Sequence, residues 1–323
     1  MPDPNPTPFV KVRSMSVSYG EGGLLGRKRF AAVSRVTFDI QKNSCFALVG
    51  ESGSGKTTVA KALLSLARID SGSATIGDFR LPGLKGKRLM QFRDEVQAVF
   101  QDPYLSLNPR LTVRRQIEEP LIIRGIPTTQ RIQRLDQVLQ QVRLDTACLN
   151  KRPAQLSGGQ RQRVCIARSL MPSPGLLIAD EPVSALDLSV QGQVIDLLND
   201  LKAQCNLTLL FVSHDVELVQ FMADTVGVMY AGRMVELGPA NLVLRNPLHP
   251  YTQALLAATP GALAATGLEA GAPPPLNKSG IGCPFQPHCG LSDMKCEFQE
   301  APLIMVNPEH RVACYKTAGV AYR

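Results

Sequence analysis

The octapeptide Gly50–Thr57, GESGSGKT, has the residue types and spacing to hold a chain of phosphates. Gly50, Gly53 and Gly55 allow the backbone dihedrals of a tight loop, so successive N–H groups can point inward at phosphate oxygens. Lys56 can reach the β- and γ-phosphates, and the Thr57 hydroxyl can ligate Mg²⁺. A helix beginning here would add its positive dipole end. Further along, Asp180 closes an apolar run and is placed to hold Mg²⁺ directly or through water. Glu181 beside it can orient or deprotonate an attacking water. Leu156–Gln160, LSGGQ, is a small polar loop opening a helix, a second anion site made of backbone amides and a helix dipole.

These groups need rigid elements to carry them. Cys45–Val49 is an apolar run that predicts a buried strand, and Thr58–Ala67 predicts a helix with Val59, Leu63, Leu64 and Ala67 at helical spacing. Ahead of them, Phe9–Tyr19 (Val10, Val12, Met15, Val17, Tyr19) and Val33–Ile40 read as strands, with a loop at Gly20–Arg29 between them. Val96–Phe100 is a short strand ended by Gln101. Thr128–Leu144, started by Pro127, and Gln160–Leu170 read as helices, so a mostly helical insert is expected over about 105–171. Leu176–Ala179 and Leu207–Val212 read as buried strands, the second followed by Ser213 and His214. Val190–Ala203 reads as an amphipathic helix. Val226–Tyr230 and Arg233–Leu237, separated by Ala231-Gly232, predict a hairpin. The phosphate loop between strand and helix resembles that of P-loop NTPases, which implies an α/β fold with a RecA-like mixed-sheet core, an antiparallel β part and a helical part. Its expected domains are residues 1–260 and a 261–323 extension made of an Ala/Gly/Pro-rich linker and a cysteine-rich tail.

Composition narrows the class. A 323-residue chain with 44% hydrophobic and 19% charged residues has a core to bury and is not a disordered polymer. No apolar run of about 18 residues occurs, so no membrane span is expected. MPDPNPTPF lacks the basic and apolar regions of a signal peptide, which points to the cytoplasm. A net charge of +8 suits nucleic acid or an anionic membrane face, and a solvated basic surface equally well. Four of the eight cysteines (Cys45, Cys148, Cys165, Cys205) sit among apolar neighbours as core residues would. Cys283, Cys289, Cys296 and Cys314 crowd the last stretch, which in a reducing compartment suggests a metal site over disulfides.

With LSGGQ and the Asp180-Glu181 strand end in the same chain as the phosphate loop, the sequence resembles the ATP-binding cassette (ABC) family over about Phe9 to Pro260. The resemblance implies that ATP is bound through Tyr19, Gly50, Ser52, Gly53, Ser54, Gly55, Lys56, Thr57, Thr58 and Asp180. Tyr19 would stack on adenine, and Thr57, Gln101 and Asp180 would hold magnesium. It also implies a catalytic role for Glu181, a switch histidine at His214, a transmembrane-sensing glutamine at Gln101 and a D-loop at Ser184–Asp187. Ser157, Gly158, Gly159 and Gln160 would contact the ATP of a partner subunit packed head to tail.

Two segments narrow the resemblance to the dipeptide/oligopeptide/nickel importer group: Gln101–Arg110, QDPYLSLNPR, and Arg245–Thr252, RNPLHPYT. His249 and Tyr251 in the second fit a packed proline-rich turn, with no catalytic role. The resemblance implies a second cassette, here a different chain, two membrane permease subunits and an extracytoplasmic solute-binding protein, at the cytoplasmic face of the inner membrane. The substrate would be a peptide or a related small solute, nickel or a metal chelate included. A soluble cassette ATPase acting on nucleic acid or ribosomes is the competing reading, disfavoured by the single cassette and the two segments. For the tail, C-x5-C-x6-C-x17-C, the group implies a 4Fe–4S cluster in some members. Zinc and unligated thiols stay open, with His288 and His310 as nearby candidate zinc ligands.

Overall fold

The structure, a computed structural model, describes residues 7–21, 28–258 and 281–318. Most of the expected Gly20–Arg29 loop and nearly all of the Gly261–Gly282 linker lie outside them.

The chain opens with β1 (Val10–Glu21) and β2 (Lys28–Ile40), paired antiparallel. Val10, Val12, Met15 and Val17 are all buried, although Met15 breaks a strict two-residue alternation. The strand accommodates this by a register shift between Val12 and Met15, where Ser14 has a φ of 47°. An extra residue at a bulge returns the side chains to the same face. β3 (Cys45–Val49) is buried along its whole length, as a strand covered on both faces must be. α1 (Lys56–Leu63) follows the glycine-rich loop directly. It ends earlier than the apolar spacing predicts, because Ser65 turns left-handed (φ 58°) and the Leu66 and Ala67 N–H groups close back on the Lys61 carbonyl.

β4 (Ser71–Ile76) and β5 (Phe79–Leu81) complete an antiparallel sheet of order β2-β1-β4-β5. Next come α2 (Gly86–Glu95), β6 (Val96–Val99), α3 (Pro103–Ser106), α4 (Val113–Ile123), α5 (Thr128–Gln141) and α6 (Gly158–Leu170). β7 (Leu176–Asp180), α7 (Leu188–Cys205), β8 (Thr208–Ser213) and α8 (Val216–Met222) continue the α/β alternation. β9 (Thr225–Tyr230) and β10 (Arg233–Pro239) form the expected antiparallel hairpin. α9 (Ala240–Arg245) and α10 (Pro250–Ala257) precede the tail, which contributes α11 (Met294–Phe298), β11 (Ile304–Met305) and β12 (Arg311–Val312).

The chain forms two compact units. The first holds the residues up to Gln41, Cys45–Leu84 and those from Phe211 onward. It contains the antiparallel sheet and the strand series β11-β12-β10-β9-β3, in which β3 and β9 run parallel and the tail strands pair antiparallel onto β10. The second holds Lys42–Ser44 and Lys85–Leu210, with parallel β6 and β7 and the helices α2 to α7. Here the α/β fold is a mixed sheet with an antiparallel part and a helical part, as expected.

Candidate functional site

In the first unit the phosphate loop is shaped by two glycines that nothing else could replace. A Cβ on Gly50 (φ 146°) would stand 2.2 Å from the Met229 carbonyl oxygen, and one on Gly55 (φ 103°) 2.6 Å from that of Ala32. Gly55 is also the N-cap of α1. Lys56 is buried, and its ammonium donates to the carbonyls of Gly50 (2.6 Å) and Glu51 (2.8 Å). It therefore spans the loop with hydrogen bonds that phosphate oxygens could take over. Ser54 is buried and its carbonyl accepts the Gly232 N–H at 2.9 Å; Ser52, Gly53 and Thr57 are exposed, and Thr58 is half-buried. Tyr19 is 44% exposed and lies across from Phe30 in the β1–β2 pairing, an open aromatic platform. His214 is exposed, immediately after β8, and Ser213 and Asp215 close the turn around it through the Asp215 N–H to Ser213 Oγ bond at 2.9 Å.

The second unit holds Gln101, the LSGGQ loop, Asp180 and Glu181. Asp180 is 6% exposed at the end of β7. Glu181 follows with φ 49°, an unusual conformation for a residue with a side chain, and its carbonyl accepts both the N–H (3.3 Å) and the Oγ–H (3.1 Å) of Ser184. Such strain costs on the order of 1–3 kcal/mol. Ser157 and Gln160 form a reciprocal cap: Ser157 Oγ accepts the Gln160 N–H, and Gln160 Oε1 accepts the Ser157 N–H at 3.1 Å. Gly158 and Gly159 let α6 approach the D-loop side closely. A Cβ on Gly158 would meet Leu186 at 3.3 Å and one on Gly159 would meet Val190 at 2.7 Å. Gly159→Ala is therefore expected to destabilise the fold by about 1–3 kcal/mol through overpacking, seen as a lowered melting temperature by calorimetry.

Gln101 is exposed, and the segment after it is folded rather than loose. Asp102 caps α3 by accepting the Tyr104 and Leu105 N–H groups. The Arg161 guanidinium lies 3.9 Å from the Tyr104 ring centre, and Arg168 donates to the Ser106 carbonyl at 2.7 Å. Both arginines sit on α6, so QDPYLSLNPR is tied to the helix that begins with LSGGQ.

The four tail thiols converge. Cys283, Cys289, Cys296 and Cys314 line one largely apolar cavity of about 20 Å³, room for a single water. Gly282 (φ 79°) makes this possible: its Cβ position is 2.7 Å from the Cys296 carbonyl oxygen, which also accepts the Cys283 N–H at 2.7 Å. Burial pushes the Cys283 thiol up to about 11; the nearby Cys296, Cys289 and Cys314 add to this, and a bond from the Phe285 backbone opposes it. Burial raises Cys289 likewise. Among the described residues, no group of three or more His, Cys, Asp or Glu closes round a single ion. His310 is not at hand as a ligand: it is buried and its Nε2 is 2.7 Å from Glu236 Oε1. Cys45, Cys148 and Cys165 are core residues as expected, whereas Cys205 is only half-buried and accepts from Gln141.

The composition of RNPLHPYT gave a packed turn but no hint of its partners. Glu236, fully buried, accepts the Leu248 and His249 N–H groups (2.8 and 2.9 Å) besides His310. His249 Nδ1 in turn accepts the Tyr251 N–H at 3.0 Å and caps α10. Burial holds His249 neutral, down at about 4, against the pull of Glu236.

A family model described as "ABC transporter" matches residues 33–184, and one described as "Oligopeptide/dipeptide transporter, C-terminal region" matches residues 235–296. A probable peptide ABC transporter ATP-binding protein of Sinorhizobium fredii is 40% identical over 296 residues, 90% of this chain and 84% of that protein. The di/tripeptide transport ATP-binding protein DppF of Pseudomonas aeruginosa is 39% identical, over 90% of this chain and 91% of its own. Among solved structures, a cassette of the cbiONQ transporter complex from Clostridium perfringens superposes with a TM-score of 0.66 at 25% identity, covering 74% of this chain and 91% of its own. A dimeric ATP-binding cassette in a post-hydrolysis state with ADP and Pi superposes with a TM-score of 0.63 at 28% identity, covering 72% and 98%.

Proposed function

Because this chain belongs to the ABC transporter family, we propose that it is the ATP-binding and hydrolysing subunit of an importer that takes up di- or oligopeptides. The observation that carries the peptide reading is the C-terminal match at residues 235–296, which spans the HPY turn and three of the four tail cysteines.

In this reading Tyr19 stacks on adenine. The Gly50–Thr58 amides and Lys56 hold the phosphates, and Thr57, Gln101 and Asp180 hold magnesium. Glu181 and His214 position the water for attack on the γ-phosphate. Ser157, Gly158, Gly159 and Gln160 serve the ATP of a second, different cassette, as the positive dipole end of a capped helix can. Among the described residues no helix is long and apolar enough to cross a membrane, so permease subunits would supply the path and an extracytoplasmic binding protein the solute. The chain would then sit peripherally on the cytoplasmic face of the membrane.

Cys283, Cys289, Cys296 and Cys314 would hold a 4Fe–4S cluster. The convergence of four thiols on one cavity supports a shared centre. Four soft thiolate donors suit an iron–sulfur cluster, and their spacing is not that of a paired C-x2-C zinc site. A cluster there would supply cross-linking of the lobe; no redox step is assigned to it.

ATPase measurements on reconstituted complexes test the function. The isolated chain is expected to hydrolyse ATP weakly, because its signature loop would serve another subunit's nucleotide. Turnover should rise when the permease pair and second cassette are added, and again with a peptide-loaded binding protein. High activity of the isolated monomer, independent of its concentration, would contradict the proposal.

A further inference from the structure

The HPY turn reaches the phosphate loop. The Tyr251 hydroxyl accepts the Glu51 N–H at 2.9 Å, across 200 positions of sequence. Glu51 is the second residue of the loop, and the carbonyl of the same peptide unit, that of Gly50, accepts from the Lys56 ammonium at 2.6 Å. One peptide unit at the start of the loop is thus pinned from both sides, by the phenol on its N–H side and by the ammonium on its carbonyl. When Lys56 turns to phosphate, the second hold is released and the first remains.

Tyr251 is itself fixed with little freedom. It is 2% exposed, and its ring packs against Tyr230 (4.5 Å between centres) and Phe285 (5.6 Å). Its backbone N–H is capped by His249, whose own N–H is anchored on Glu236. Phe285 comes from the cysteine lobe and also meets Tyr230 edge-on at 5.4 Å. Burial raises the Tyr251 phenol far above neutral pH, so it is a neutral acceptor throughout the physiological range. A rigid two-torsion side chain fixed at both backbone and ring is well suited to hold a neighbouring peptide in place.

We propose that Tyr251 is a positioning residue of the phosphate loop, holding the Glu51 peptide in the orientation that receives ATP, with the HPY turn and Phe285 as its support. The inference rests on the reading of Gly50–Thr57 as the ATP phosphate site.

Tyr251→Phe tests it, since the ring and its packing stay and only the acceptor is lost. In the full chain, the Kd for Mg–ATP is expected to rise about fivefold, the effect of one neutral hydrogen bond. The assembled transporter should show a raised KM for ATP with kcat nearly unchanged. The nucleotide-free melting temperature should fall little, and the Glu51 amide should exchange faster while β3 amides do not. In the wild-type protein that amide should be protected without nucleotide, a measurement independent of how the variant folds. An unprotected wild-type Glu51 amide would overturn the inference, as would an unchanged ATP Kd in Tyr251→Phe, with or without a drop in melting temperature. If wild-type protein binds no Mg–ATP, the functional reading fails and takes this inference with it. If wild type binds and the variant binds equally, only the role of Tyr251 fails.

Discussion

Glu181→Gln is expected to lower ATP turnover of the assembled transporter by about 10²-fold or more while leaving ATP binding intact. The substitution conserves size and hydrogen-bonding reach but removes the negative charge that would orient the water and accept its proton. The backbone argues that the loss is chemical, not structural. Glu181 sits at φ 49°, held through its carbonyl by two bonds from Ser184. Neither bond involves the carboxylate, so glutamine should adopt the same turn. With hydrolysis blocked, ATP should accumulate between paired cassettes, giving a nucleotide-dependent dimer on size-exclusion chromatography. Near-normal turnover of the assembled variant would remove Glu181 from the chemical step.

The second large effect is expected at the tail. Anaerobically prepared protein should be brown, with about four irons and four labile sulfides per chain. Cys289→Ser should bleach it, because each thiolate of a four-ligand cluster is structural to it. The loosening should be confined. The Val306–Val312 core, packed with Leu248, Ile304 and Cys314, supports β11 and β12 through apolar contact. The buried Glu236–His310 pair adds a second anchor on β10. Proteolysis of the bleached variant should therefore open the region around residues 283–300 first and leave the β10–β12 pairing intact. Metal content by mass spectrometry decides the matter: stoichiometric zinc in colourless protein would assign the thiols to zinc, and no metal would leave them as plain thiols.

The local geometry along single short segments was legible in the sequence for a physical reason. The phosphate loop, the LSGGQ cap and the Asp180-Glu181 strand end are built from neighbours in the chain, so residue type and spacing nearly determine their local geometry. The Ser157–Gln160 cap closes over three residues, and Gly50 and Gly55 occupy positions that exclude a Cβ. The β9–β10 hairpin was equally local. What sequence reasoning missed is what pairing over distance creates. β4 is a polar hexapeptide, SGSATI, with no apolar run to announce it; it is a strand because β1 offers it a ladder.

The left-handed turn at Glu181 could not be read from a residue that ordinarily avoids it; the Ser184 bonds impose it. Nor could the fate of His310, a candidate ligand by proximity in sequence, be known before Glu236 was seen beside it. The sequence by itself determined that this chain has a phosphate loop, a signature loop and four clustered cysteines, since those depend on covalent neighbours. Only the tertiary structure decided that the four thiols share one cavity and that Tyr251 holds the loop 200 residues away, since each needs separate segments to be buried against one another.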